Sequence, residues 1–139
     1  MRNLALWFIV LAVFGVLLSL STSAEEFNAG YAAMGKSTYR VYCASCHGLK
    51  AKGDGSIAEY LTVPPADLTL ISSRNDGEFP AEMVYKVIDG REKVRGHGSA
   101  DMPVWGEVFL ESRETPDAEA VKQRITELVH FIQSIQVTE

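Results

Sequence analysis

Apolar residues recur with helical spacing near the C-terminus, at intervals of four, three, four and three: Val121, Ile125, Leu128, Ile132 and Ile135. This spacing predicts an amphipathic helix of about 20 residues with one buried face. Thr115 is a suitable N-cap for this helix, and Pro116 suits its first position.

Two shorter helices are predicted earlier in the chain. Ala29–Tyr42 is rich in alanine and is expected to bury one stripe of side chains: Tyr31, Met34, Thr38, Val41 and Tyr42. Ala81–Ile88 has apolar residues at 83, 84, 87 and 88, which also predicts a helix. Gly48–Arg74 contains three glycines and two prolines, which is typical of a loop, with one short helix at Ile57–Leu61. Since no segment alternates like a strand, the predicted fold is all-α with long loops.

Residues 1–24 differ from the rest of the chain. Arg2 precedes an unbroken apolar run over residues 4–18, and small polar residues ending in Ala24 follow. This order is typical of a secretory signal peptide cleaved after Ala24. An uncleaved membrane anchor over residues 4–20 is the alternative, although the apolar run is shorter than the roughly 18–20 residues of a spanning helix. In both cases residues 25–139 form one exported domain, periplasmic in a bacterium.

The charge and the cysteine content indicate which partners to expect and whether a disulfide stabilises the fold. The balance of 13 basic and 18 acidic residues gives a net charge of −5, and removing Arg2 gives −6. This acidic charge argues against nucleic acid and favours partners with basic docking patches. The two cysteines are only three residues apart, so a disulfide between them would cross-link nothing distant. Loops as long as those predicted are uncommon unless they serve a function, and a large apolar cofactor would complete the core.

The segment Cys43-Ala44-Ser45-Cys46-His47 is the attachment motif of c-type haem. Residues three apart on a helical turn share a face, so both sulfurs can reach one edge of a porphyrin while the imidazole of His47 binds the iron. Two alternatives use the same residues. A thioredoxin-like redox pair expects a βαβ setting, which the sequence does not predict. A zinc site requires four ligands, and the chain has no second cysteine pair to complete them.

The second axial ligand is predicted to be Met102. It lies in a loop beside proline and glycine, whereas Met34 and Met83 lie in predicted helices and are expected in the core. A thioether opposite histidine raises the reduction potential. His97, between two glycines, is the rival ligand, and His130 is expected to be partly exposed on the last helix.

The sequence resembles the class I cytochromes c over most of residues 25–139. Gly35 and Tyr39 precede Cys43 by eight and four residues. In that family a glycine and an aromatic residue at these places let the first helix cross the last one, where Leu128 and Phe131 match a paired apolar and aromatic residue. The resemblance implies about four to five helices wrapped around one covalently bound haem c, with crossing N- and C-terminal helices.

The same resemblance suggests roles for loop residues. It implies that the Pro65 carbonyl accepts a hydrogen bond from His47, that Leu68 packs on the ring, and that Met102-Pro103 is the distal ligand loop. Trp105 has two interpretations from its chemistry: it packs at the haem edge or donates its N–H to a propionate, or it is an ordinary core residue.

The function expected from these features is one-electron transfer, as a free carrier or as the cytochrome subunit of a larger redox complex. The partners expected are redox proteins: a quinol-oxidising complex, a terminal oxidase or a periplasmic dehydrogenase. Contact with a membrane is expected only if the N-terminal segment is retained. The alternative is a haem enzyme or gas-binding protein with an open distal site that uses His97. The basic residues Arg91, Lys93 and Arg95 are either a solvated loop or a docking ring for an acidic partner.

Overall fold

The fold comes from a computed structural model that describes residues 26–91, 102–115 and 117–137. The predictions for residues 1–24, Lys93, Arg95, His97 and Pro116 fall outside these ranges. The described residues form five α-helices and no strand, which confirms the all-α prediction: α1 Ala29–Tyr42, α2 Ala44–His47, α3 Ala81–Asp89, α4 Trp105–Leu110 and α5 Ala118–Ser134. Three short 3₁₀ turns lie between α2 and α3: Ala58–Tyr60, Leu68–Leu70 and Ser73–Asn75.

Helices α1 and α5 cross in close contact, as predicted. A Cβ atom on Gly35 would lie 2.0 Å from the carbonyl oxygen of Glu127, so the crossing point has no room for any side chain on α1. Four residues further along, the ring of Tyr39 lies 5.0 Å from the ring of Phe131, centroid to centroid. The two backbones therefore approach at a glycine, and an aromatic pair fixes their position beside it.

The buried face of α1 is not the predicted stripe. Ala32, Gly35 and Tyr39 are buried, whereas Met34 is 60% exposed and Val41 is 72% exposed. The reason is steric. Where α1 comes closest to α5, at Gly35, there is no room for a bulky side chain, and Met34 and Val41 lie on the exposed side of the helix.

Helix α5 buries the predicted face. Val121, Ile125, Leu128 and Ile132 are buried in the core, while Ile135 is partly buried. Phe109 of α4 and Val84 and Ile88 of α3 belong to the same core.

The predicted N-cap of the last helix is wrong. The carboxylate of Asp117 caps α5, because its Oδ1 accepts a hydrogen bond from the Ala120 N–H at 2.9 Å. Thr115 is buried instead, and its hydroxyl donates to the carbonyl of Phe109. The helix therefore has 17 residues and begins at Ala118.

His130 is buried, which corrects the expectation of a partly exposed surface residue. Its ring lies 6.0 Å from the ring of Phe27 and 5.5 Å from that of Tyr31, and its Nδ1 accepts a hydrogen bond from the Asn28 N–H at 3.3 Å. Residues just before and within the first turn of α1 cover this side chain, a contact between chain ends that local periodicity does not indicate.

The shorter elements agree in part with their predictions. Helix α3 is present and extends to Asp89, while the helix predicted at Ile57–Leu61 is only a 3₁₀ turn. Helix α4 was not predicted. Within the described ranges, no helix has both the length and the apolar content needed to cross a membrane.

Candidate functional site

A cavity of about 560 Å³ lies between the helices and the loops that connect them. This volume is in the range of sites that hold an organic ligand or cofactor. Its lining includes seven residues that the sequence indicated as site residues: Cys43, Cys46, His47, Pro65, Leu68, Met102 and Trp105. Side chains from α1, α2, α3, α4, α5 and two loop segments thus meet around one largely apolar space.

Cys43 and Cys46 are free thiols on the cavity wall. A single turn of helix holds them, in which the N–H groups of Cys46 and His47 donate to the Cys43 carbonyl at 3.2 and 2.9 Å. Burial, together with the neighbouring Cys46, raises the pKa of the Cys43 thiol to about 12. A thioredoxin-like pair expects a βαβ setting, and the described residues contain no strand.

His47 is held in one orientation by a backbone carbonyl. Its Nδ1 lies 3.1 Å from the carbonyl oxygen of Ala66. A carbonyl oxygen can only accept a hydrogen bond, so Nδ1 carries the proton and the neutral ring keeps a free lone pair on Nε2. Burial lowers the pKa of His47, which favours this neutral form. A histidine oriented in this way is prepared to bind a metal through Nε2.

The hydrogen-bond acceptor is Ala66 rather than Pro65, which corrects the expectation from the family resemblance. The Pro65 carbonyl faces Gly53 instead, where a Cβ atom would lie 2.3 Å from its oxygen. Gly53 adopts a φ of +79°, a conformation that favours glycine, and this lets the two backbones meet. The acceptor is thereby displaced by one residue along the loop.

The loop after α2 returns to cover the backbone of the motif. The N–H of Gly53 donates to the carbonyl of His47 at 2.9 Å, and the N–H of Gly55 donates to that of Cys46 at 3.0 Å. These bonds satisfy carbonyls at the end of α2, which the helix itself leaves unpaired. The Tyr39 hydroxyl donates to the Gly48 carbonyl at 2.7 Å and ties the same loop to α1.

Leu68 is fixed in the cavity wall from two directions. Its N–H donates to the carbonyl of Ala51 at 2.8 Å. Its carbonyl accepts from the Gln136 side chain at 2.7 Å, and the other end of that amide accepts from the Ser72 N–H at 2.8 Å. Gln136 therefore anchors this loop to the end of the chain, a role for which the sequence gives no signal.

Met102 and Trp105 line the cavity from the segment that leads into α4. Both side chains are half-buried. The Trp105 ring also lies 5.7 Å from the Tyr42 ring and 5.5 Å from the Phe109 ring. Trp105 thus borders the cavity and packs in an aromatic cluster, and its role at a haem edge stays a prediction.

Met83 and Arg74 also line the cavity, although the sequence analysis gave them no part in it. Met83 was expected in the core, but it is 44% exposed. Arg74 is the one permanently charged side chain among the described lining residues. Its guanidinium donates to the backbone carbonyls of Leu70 and Asp67, which hold the cation at this edge of an otherwise apolar site.

Within the described ranges, no group of three or more His, Cys, Asp and Glu side chains is arranged to hold a metal ion by itself. The zinc alternative therefore gains no support from these residues. No protein-family model, curated protein or solved structure matches the chain.

Proposed function

We propose that this chain binds one haem c covalently and transfers single electrons, as a free carrier or as the cytochrome subunit of a larger redox complex. One observation carries the proposal: Cys43, Cys46, His47 and the sequence-distant Met102 line the same apolar cavity. A covalent attachment motif and a candidate second ligand meet there, in a space of suitable size and polarity.

The arrangement of the helices supports a class I cytochrome c-like fold as part of this proposal. The motif follows directly on α1, which crosses α5 at Gly35, and the long loops border the cavity. These loops would then wrap the cofactor, which accounts for their length in a domain of this size.

The chain's own residues fit the attachment of haem. The thiols of Cys43 and Cys46 provide the two sulfur atoms for thioether bonds from one helical turn. His47 would hold the haem iron through Nε2, while the Ala66 carbonyl accepts from its other nitrogen and sets the orientation of the ring. When bound, haem supplies an iron(III)/iron(II) couple that accepts and releases one electron.

The remaining wall fits a closed site rather than a catalytic one. Met102 would provide a second ligand to the iron through its thioether, and Leu68 and Trp105 would contribute apolar surface that excludes water. Arg74 provides a positive charge at the edge of the cavity, suited to a carboxylate of the cofactor. An iron held by both His47 and Met102 would leave no position for a substrate, which is why we propose a carrier and not an enzyme.

Export and partners belong to the same proposal. Residues 1–24 direct the chain out of the cytoplasm, and the acidic domain meets redox proteins with basic docking patches. A quinol-oxidising complex, a terminal oxidase or a periplasmic dehydrogenase are the expected classes of donor and acceptor. Nucleic acid is not an expected partner.

The optical spectrum of the oxidised protein tests this function. A His/Met site predicts a low-spin iron with a methionine–iron charge-transfer band and weak, slow binding of added cyanide. High-spin iron that binds cyanide rapidly would contradict the carrier and support a haem enzyme or gas-binding protein with an open distal site. Absence of covalent haem would contradict both.

A further inference from the structure

We infer that an α3–α4 clasp positions the Met102 segment over the cavity and sets how tightly its thioether is held. The clasp consists of Asp89, Gly90 and Arg91 at the end of α3 and of Val104 and Gly106 at the start of α4. This inference rests on the proposed ligand role of Met102 and assigns a positioning role to residues that lie outside the cavity wall.

Gly106 is the contact point on α4. A Cβ atom at this position would lie 2.1 Å from Oδ1 of Asp89 and 2.6 Å from Nε of Arg91. It would also lie 2.9 Å from the Asp89 carbonyl oxygen, so the backbone of α3 closes the same space. The absence of a side chain at Gly106 is therefore what lets α4 rest on the end of α3.

The α3 side of the clasp is a partly buried ion pair. Asp89 is buried, and its Oδ1 accepts from both Nε and Nη2 of Arg91 at 2.8 Å. Charge-assisted bonds of this kind fix side-chain geometry more firmly than neutral ones. Arg91 is therefore paired with Asp89, whereas Lys93 and Arg95, which the sequence grouped with it as a docking ring or a solvated loop, lie outside the described ranges.

A second contact holds the same segment at Val104, two residues before Gly106. A Cβ atom on Gly90 would lie 3.2 Å from the Cα atom of Val104. Gly90 ends α3 in the left-handed conformation, with φ +68°, and its N–H donates to the Lys86 carbonyl. The turn after α3 thus lies directly on the backbone between Met102 and α4.

The position of the clasp suggests its role. It contacts the chain two and four residues after Met102, and it joins this segment to α3, whose Val84 and Ile88 line the same cavity. Because the segment after Met102 is fixed to the end of α3 at both points, Met102 has little freedom to move away. A ligand whose departure requires breaking packed contacts leaves the iron open for a smaller fraction of the time.

The test uses the complete haem-loaded protein and three variants. Gly106→Ala inserts a methyl group into the clasp, and Arg91→Gln removes the ion pair without adding volume. Gly30→Ala is the matched control, since Gly30 is exposed in the first turn of α1 and would meet only the side chain of Asn28. For each protein we would measure the methionine–iron charge-transfer band, the apparent cyanide affinity and the covalent haem content.

Gly106→Ala is expected to retain covalent haem, weaken the charge-transfer band and raise cyanide affinity about tenfold or more, since overpacking is relieved by displacing the ligand loop. Arg91→Gln is expected to change the charge-transfer band and the cyanide affinity in the same direction by a smaller factor. Gly30→Ala is expected to match the wild type. If Gly106→Ala does not accumulate, Arg91→Gln decides alone. The inference would be overturned if every clasp variant that accumulates kept the charge-transfer band and the cyanide affinity of the wild type. If the wild-type protein itself lacked the band, the ligation by Met102 would be overturned instead.

Discussion

Nδ1 of His47 donates to the carbonyl oxygen of Ala66 at 3.1 Å, and this hydrogen bond connects the motif that follows α1 with the loop nineteen residues later. It fixes the tautomer of the ring and leaves Nε2 as the nitrogen free to bind a metal. It also places the 65–68 segment beside the motif, so that Leu68 reaches the cavity wall.

The three methionines in the described part of the chain provide a direct comparison. Met102→Leu is expected to keep the covalent haem, abolish the methionine–iron charge-transfer band, lower the reduction potential and raise cyanide affinity about tenfold or more. Met83→Leu tests the competing cavity methionine, and Met34→Leu is the exposed control; both are expected to retain the band. Spectra and a cyanide titration of the three variants check this. Loss of the band in Met83→Leu but not in Met102→Leu would show that Met83, and not Met102, is the ligand.

Gly35→Ala probes the helix crossing. Its new Cβ would lie 2.0 Å from a backbone oxygen of α5, so the helices must separate. The free energy of unfolding of the haem-loaded protein is expected to fall by about 1–3 kcal/mol. Gly30→Ala, on the exposed side of the same helix, is expected to change it by less than about 1 kcal/mol. Urea unfolding followed by circular dichroism measures both, and equal values for the two variants would refute the close crossing.

Tyr39→Phe probes the link between α1 and the loop after the motif. The variant loses the hydrogen bond from the buried hydroxyl to the Gly48 carbonyl. That carbonyl keeps a second bond, from the Ala51 N–H, so the loss of unfolding free energy is expected to be about 1 kcal/mol. Tyr60→Phe is the control, because Tyr60 is 77% exposed. An unchanged stability for Tyr39→Phe would show that the hydroxyl contributes nothing to the fold.

Asp67 gives a prediction of pH dependence. Its Oδ1 accepts bonds from the hydroxyl and the N–H of Thr69 at 2.6 and 2.9 Å, and these bonds lower the pKa of the Asp67 carboxyl. The unfolded chain then takes up this proton at a higher pH than the folded one. The stability gained is therefore complete above the ordinary aspartate pKa and is lost as the pH falls through the lowered value.

Replacement of Asp67 checks that dependence. Asp67→Ala is expected to cost about 0.5–2 kcal/mol at pH 7, as for other capping residues, and the difference from the wild type should shrink below about pH 4. Asp67→Asn keeps an acceptor oxygen without a titrating group and is expected to lie closer to the wild type at pH 7. Unfolding measurements at pH 7 and pH 3.5 compare the three proteins. A difference between wild type and Asp67→Ala that is the same at both pH values would contradict the account.

The sequence predicted correctly the features that depend on the spacing of residues close together in the chain. The apolar face of α5 repeats with helical periodicity, and the bounds of α1 follow from a continuous helical segment ending at the motif. The role of Gly35 was implied by the resemblance to the class I cytochromes c, not by hydrophobicity. The convergence of the motif, Met102 and Trp105 on one cavity is consistent with the predicted site, although the cofactor itself remains a proposal.

The features that the sequence did not predict depend on contacts between distant segments. The exposed Met34 and Val41 follow from the close approach of α5, which reverses the ordinary preference for burying large apolar residues. The shift from Pro65 to Ala66 follows from the packing of one loop on Gly53. Neither contact has a local signature, since each arises only when the two segments meet.

The same is true of the N-cap and of α4. Thr115 and Asp117 are both good caps in isolation, and the choice between them was made by the Phe109 carbonyl, which accepts from the Thr115 hydroxyl. Helix α4 has only six residues, too few for a periodic pattern to be distinguished from a loop.

Covalent haem at Cys43 and Cys46 is the central claim, and the intact mass of the native exported protein tests it most directly. We predict that the mass exceeds that of the polypeptide alone by one haem, and that this haem increment is lost in the Cys43→Ser, Cys46→Ser double variant. A native mass without the haem increment would contradict the claim.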